Sequence, residues 1–375
     1  MAKVQKVDVF KIPMGSPSDV SGIVSLIDDG KLDPKNIVAI IAKTEGNGLV
    51  NDFSRGLTEL TLKVMLSERM GISRDKVADQ VSMVMSGGCP GLMSPHYTVF
   101  ARNWVDNAET PDKRLVVGVA HTDELFPEDI GRMRQIELVG DAVKKAMAES
   151  GISDPTDVHF VQVKNPLLTK PRIADAKKRG KTVVTEETGI TYNGSMCYAN
   201  DGSALGVGLG LNEIPREKLN DGMVRRDFSV FSNVSSTSSG GEKNRAEVVL
   251  LGNSTRSISS FRIGHSIMRD LVDANGVREA LWSAGLRFDH DPSEADRKRI
   301  VNVFAKAVVP SHGICRERRF VMHDDSDIGT KPARAIGNAV IASVIGDTMN
   351  YVSGGEVDSH SGPPDGNPVA AIIRV

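Results

Sequence analysis

Three lysines close apolar runs in this chain: Lys43 after "NIVAIIA", Lys164 after "VHFVQV" and Lys306 after "IVNVFA". Downstream of each lies a serine followed by small residues, in Ser86-Gly87-Gly88, Ser238-Ser239-Gly240-Gly241 and Ser353-Gly354-Gly355. A third polar side chain stands between them each time: Arg55 in "NDFSRG", Asn200 in "MCYANDGSALG" and Arg334 in "KPARAIGNAV". A serine hydroxyl becomes a nucleophile when a neighbouring base takes its proton. Lysine serves as that base once desolvation and nearby cations have lowered its pKa. Backbone N–H groups beside glycine can approach a developing oxyanion with no Cβ in the way. Arginine offers a planar donor fork to carbonyl or anionic oxygens. Taken singly, a strand-end lysine is an ordinary edge guard and Ser-Gly-Gly an ordinary turn. Three parallel sets converging on one axis would instead make a single pocket for acyl transfer on a small, flat, oxygen-rich carbonyl compound.

The elements that must position these residues also recur. Lys43 and Lys164 each follow an Asp-Pro proline by nine positions, in "DPKNIVAIIAK" and "DPTDVHFVQVK", and "DPSEADRKRIVNVFAK" is a third, longer version. Amphipathic helical patterns precede each: "SDVSGIVSLIDDGKL", "GRMRQIELVGDAVKKAMAESGI" and "GHSIMRDLVDANGVREALWSAGL". The β-rich runs "VDVFKIPMGS", "LVVGVAHT" and "EVVLLGNS" feed those helices. The unit is therefore strand, helix, strand, an α/β fold with the divisions expected at 1–107, 108–245 and 246–375. "SALGVGLG" and "AIGNAVIASVIG" read as tightly packed small-residue helices.

Composition removes several function classes. With 375 residues, 40% hydrophobic and 25% charged, the chain can bury a real core. A formal net charge of −2 gives no basic field for a nucleic acid or an anionic membrane. No apolar run approaches the length of a membrane span and the start lacks a secretory pattern, so a cytoplasmic protein is expected. Three cysteines without a CxxC suggest neither a disulfide framework nor a thiolate zinc site, so any metal would need oxygen or nitrogen ligands. There is no P-loop, HExxH or GxSxG, and "GVGLG" at 206–210 has the wrong spacing for a dinucleotide fingerprint. His96 and His121 read as packing or capping residues.

Over essentially its full length the chain resembles the cyanuric acid hydrolase and barbiturase family of cyclic-imide ring-opening amidohydrolases. The resemblance rests on "KTEGNGLVNDFSR", "SGGCPGLMSPH", "FPEDIGR", "KNPLLT", "SALGVGLG", "SSTSSGGE", "IGHSIM" and "DDSDI". It implies three similar α/β domains around a pseudo-threefold axis, with a central β-barrel flanked by helices. It also implies one substrate site to which each domain contributes a set: Lys43, Arg55, Ser86 and Gly87; Lys164, Asn200, Ser238 and Ser239; Lys306, Arg334, Ser353 and Gly354. The middle pair carries over as nucleophile Ser238 and base Lys164, with Ser239 as the adjacent alternative.

Asn200 stands where the cyanuric acid hydrolases have an arginine, and its segment is more like the barbiturase branch. Barbiturate, with a CH₂ where cyanurate has N–H, is therefore the expected substrate; cyanurate, or cyclic-imide binding without turnover, is the alternative. No cofactor is required by this chemistry. The resemblance implies a homotetramer, and a structural Mg²⁺ near "GGEVDSHSGPPDGNP" at 354–368, although Val308 replaces a carboxylate expected two positions after the third lysine. Asp324, Asp325 and Asp327 could form a hard-metal cluster or cap the segment that follows.

Overall fold

The computed structural model describes residues 2–189, 191–325 and 329–375. Its first unit contains β1 (Ala2–Pro13), α1 (Ser21–Asp28), β2 (Ile37–Thr44), α2 (Phe53–Met70), α3 (Arg74–Gln80), β3 (Ser82–Gly87) and β4 (His96–Asn107). The second contains β5 (Arg114–Glu124), α4 (Met133–Ser150), β6 (Val158–Pro166), α5 (Lys170–Lys178), α6 (Ser195–Gly210), β7 (Ser235–Gly240) and β8 (Arg245–Ser254). The third contains β9 (Phe261–Met268), α7 (Ala274–Ala284), α8 (Glu294–Arg297), β10 (Ile300–Val309), the short pair β11 (Ile314–Cys315) and β12 (Arg318–Arg319), α9 (Pro332–Ile345), β13 (Tyr351–Val357) and β14 (Asn367–Arg374).

The three large sheets have one topology: β1-β4-β2-β3, β5-β8-β6-β7 and β9-β14-β10-β13. In each, the last strand lies antiparallel between the first and second, and the third runs parallel to the second. The recurrent Asp-Pro has a local cause. Asp33 and Asp154 each cap a single 3₁₀ turn, accepting from the backbone N–H groups of Lys35 and Thr156, with proline in the first turn. The third unit replaces that turn with α8, closed by a Ser293–Asp296 capping box.

Two sequence expectations are corrected here. "EVVLLGNS" does not open the third unit: β8 pairs with β5 and β6, so the second sheet continues to Ser254, past the expected division at 245/246, and β9 opens the third sheet. A β-rich run looks the same whether it starts or ends a sheet, and only pairing distinguishes the two. The supposed third helix likewise begins as strand, through Met268, and turns helical only after Asp273, which caps the Asn275 N–H.

Strand alternation divides the core. On β2, Ile40 and Ala42 face the helices while Ala39 and Ile41 face the centre. On β10, Val303, Ala305 and Ala307 face outward and Phe304 inward. The inner residues of all three sheets form one shared cluster, including Val84, Phe100, Phe160, Phe304 and Tyr351. Buried amides join the sheets: Gln5 exchanges hydrogen bonds with the Val117 backbone, Asn253 with the Ile263 backbone, and Asn302 donates to Thr98 Oγ1 at 2.7 Å. The central barrel implied by the resemblance takes this form among the described residues, three sheets around one core, without a continuous backbone ladder linking them. No helix among the described residues is long and apolar enough to cross a membrane.

Candidate functional site

Parity decides where the lysines point. Residues 39, 41 and 43 share a face of β2, and Phe160 with Lys164, and Phe304 with Lys306, share the inward faces of β6 and β10. All three lysines are fully buried near the centre. The parallel ladders then set each one beside its serine: Lys43 opposite Ser86, Lys164 opposite Ser238 and Lys306 opposite Ser353. Ser239 is opposite Asn165, so Ser238 is the serine equivalent to Ser86 and Ser353.

One cleft brings the sets together. It is lined by Arg55, Ser86, Gly87, Lys164, Asn200, Ser238, Ser239, Arg334, Ser353 and Gly354, together with Gly48, Met196 and Glu356. Lys43 and Lys306 lie behind the lining. The forks come from helices that precede the third strand of each sheet. Arg55 lies on α2, whose first turn is capped by Asp52; Asn200 is on α6 and Arg334 on α9. Arg55 Nη2 donates to Leu49 O at 2.8 Å, and Arg334 Nη1 to Gly354 O at 3.3 Å. Two glycines are there for space. A Cβ on Gly48 would lie 2.7 Å from Arg334 Nη1. Gly354 has φ +116°, and a Cβ there would lie 2.1 Å from the Ala307 carbonyl oxygen.

The three pairs are not alike. Lys164 Nζ donates to Met85 O at 2.8 Å and Ser239 O at 3.1 Å, and stands 3.0 Å from Glu242 Oε1. Burial lowers its pKa to about 8, against the pull of Glu242 and helped by Arg55. Burial also raises the Glu242 carboxyl, but Lys164 and Arg55, the latter at 3.5 Å, together hold it down at about 2. Lys306 donates to Thr237 O at 2.6 Å and is ion-paired with Glu356, which also accepts from Asn200 Nδ2 at 3.1 Å. Lys43 makes no ion pair among the described residues. It donates to Ser86 Oγ at 3.2 Å, and burial followed by the Arg334 charge brings its pKa to about 7. The hydroxyls of Ser238 and Ser239 and the side-chain carbonyl of Asn200 are buried without hydrogen-bond partners. These are the free valences of a site shaped for a polar ligand.

Glu242 and Glu356 were not anticipated, although the signal is present: Gly-Gly-Glu follows the serines of the second and third repeats, where the first has Gly-Gly-Cys. His96 and His121 are structural, His96 bonding the Ser94 carbonyl and His121 the Ser82 hydroxyl. Asp324 pairs with Arg319 at 2.7 Å, and α9 begins at Pro332 with no side-chain cap among the described residues. Asp327 lies outside the described residues. The C-terminal loop does not fit the implied Mg²⁺. Val308 supplies no oxygen from its side chain, the Val357 and Asp358 carbonyls accept from the Arg225 guanidinium, and no cluster of three acidic, histidine or cysteine side chains occurs among the described residues.

Residues 8–374 match the family described as amidohydrolase ring-opening proteins. The chain belongs to that family. It is 47% identical to a cyanuric acid amidohydrolase of Enterobacter cloacae over 98% of both proteins, and 45% identical to a cyclic amide hydrolase of Pseudofrankia inefficax over 100% of this chain and 96% of the relative. A solved cyanuric acid hydrolase superimposes with a TM-score of 0.93 at 44% identity, covering 99% of this chain and 100% of the other. A second, from A. caulinodans, gives 0.89 at 42% identity, covering 99% of each. This ring-opening amidohydrolase thus carries its three registered Lys–Ser pairs on a fold close to those of solved cyanuric acid hydrolases.

Proposed function

We propose that this ring-opening amidohydrolase hydrolyses a C–N bond of a small planar cyclic imide by a serine–lysine mechanism. The single observation that carries the proposal is the common register by which three parallel strand pairs set Lys43, Lys164 and Lys306 beside Ser86, Ser238 and Ser353 around one cleft. A six-membered ring with three carbonyls, separated by three N–H groups in cyanurate or by two N–H and one CH₂ in barbiturate, presents one carbonyl to each set. Arg55 and Arg334 donate to ring oxygens, and Asn200 Oδ1 offers an acceptor to a ring N–H.

In this reading Ser238 Oγ attacks a ring carbonyl and its proton passes to Lys164 Nζ. Collapse of the tetrahedral adduct breaks the C–N bond, and the ring nitrogen takes that proton. Water then adds to the acyl-enzyme, giving up a proton to Lys164, which passes it to Ser238 Oγ as the ester C–O bond breaks, releasing the carboxyl group and restoring free Ser238 and neutral Lys164. Lys164 must be neutral at the start, which its depressed pKa favours. The relatives' names support cyanurate. Asn200, replacing a third guanidinium with a neutral amide, supports barbiturate, the less symmetric ring. For the nucleophile, the Lys43–Ser86 hydrogen bond supports a second reading in which Ser86 attacks.

Loss of ring ultraviolet absorbance, followed with barbiturate and cyanurate side by side in wild type, Ser238→Ala and Ser86→Ala, tests all of this. Turnover of either ring that Ser238→Ala abolishes is the expected result. Turnover of neither, with both rings bound, would leave a binding protein; a fully active Ser238→Ala would move the nucleophile to Ser86 if Ser86→Ala is inactive, and to the adjacent Ser239 if it is not.

A further inference from the structure

One polar group at the centre of the site lies outside every set described above. Tyr351 is fully buried, two residues before Ser353 on the inward face of β13. The corresponding positions, two before Ser86 and two before Ser238, hold Val84 and Ser236, so a phenol is present once and not three times. Its ring packs on Phe304 with centroids 5.8 Å apart, and Phe304 packs in turn on Phe160 and Phe100, which leaves the ring little freedom. The hydroxyl is near enough to those of Ser86, Ser238 and Ser353 for all three to pull its pKa down, and has no hydrogen-bond partner of normal geometry among the described residues. Burial raises its pKa while the three serines pull the other way, so it stays a phenol at working pH. A buried hydroxyl without a committed partner is a cost that a phenylalanine would not carry. Tyr351 does not line the cleft, so any effect on substrate runs through the serines.

We infer that Tyr351 is the positioning residue that breaks the threefold symmetry of the site, giving its one proton to the attacking serine and accepting from the other two. A phenol has one donor and two acceptor lone pairs, which matches three hydroxyls of which one must differ. As the attacking serine loses its proton to lysine, its oxygen gains charge and the Tyr351 hydrogen bond to it strengthens, while those from the other serines anchor the phenol oxygen. The inference rests on the Ser–Lys reading above, in which the recipient is Ser238.

Tyr351→Phe removes the hydroxyl and keeps the packed ring. The expected result is a kcat lowered about tenfold or more, a KM within about twofold of wild type, and a melting temperature equal to or above wild type. A kcat within about twofold of wild type would overturn the proposal. So would a lower melting temperature, or a loss that falls wholly on KM, since either marks a packing or binding role. The serine variants separate the two readings. If Ser238→Ala stays active while Ser86→Ala and Tyr351→Phe are impaired, Tyr351 keeps its role and the assignment of its proton to Ser238 is overturned.

Discussion

Glu242→Gln tests whether Lys164 is the titrating base. The substitution keeps an acceptor for Lys164 Nζ and removes the charge 3.0 Å away. Coulomb's law at that separation, with an effective dielectric of about 20, gives an interaction of about 5 kcal/mol, and each 1.36 kcal/mol is one pKa unit. Partial solvent contact of Glu242 and its sharing with Arg55 reduce the figure. A quarter of it would still lower the lysine by about one unit. Loss of the carboxylate also leaves the Arg55 charge uncompensated, which acts in the same direction. The sign follows: Lys164 acts as a base only when neutral, so kcat/KM rises with pH through a value near 8 in the wild type. In the variant that rise moves to lower pH by about one unit or more. The assay is kcat/KM between about pH 5 and 10 for whichever ring is turned over. A limb that stays in place, or moves upward, would refute the assignment of Lys164. A wild-type limb already near 7 would point to Lys43, whose pKa burial and Arg334 bring to about 7.

Two other substitutions probe the frame and the specificity. Gly354→Ala should abolish turnover and lower the melting temperature by several degrees, because a Cβ at φ +116° would meet the Ala307 carbonyl oxygen at 2.1 Å. Calorimetry and the absorbance assay on that one variant check both effects. Asn200→Arg restores a third guanidinium fork beside Glu356, and should raise the preference for cyanurate over barbiturate by about tenfold or more, as a ratio of kcat/KM values; an unchanged ratio would remove Asn200 from the specificity argument.

The repeats and the strand–helix–strand unit were readable without coordinates, because each is a matter of local type and spacing, and of the twelve residues expected in the site ten line one cleft. Asp-Pro marks the approach to the repeated strands, and the small-residue runs predict closely packed helices; α6 and α9 are such helices. The net charge of −2 and three cysteines without a CxxC argue, from composition alone, against a nucleic-acid partner and a thiolate metal framework. What tertiary structure decided is pairing. Only the ladders show that β8 closes the second sheet, and only the parallel register sets Lys164 opposite Ser238 and Asn165 opposite Ser239. Glu242 and Glu356 become partners of Lys164 and Lys306 only because β7 and β13 run parallel beside β6 and β10, which brings a carboxylate three or four residues beyond the serine next to the lysine of the neighbouring strand. The chemical difference between the three lysines has the same origin. Their local sequences share one pattern, while the counter-charge comes from the strand paired beside each lysine, Glu242 for Lys164 and Glu356 for Lys306, and the arginine charge felt by Lys164 and Lys43 comes from a neighbouring unit.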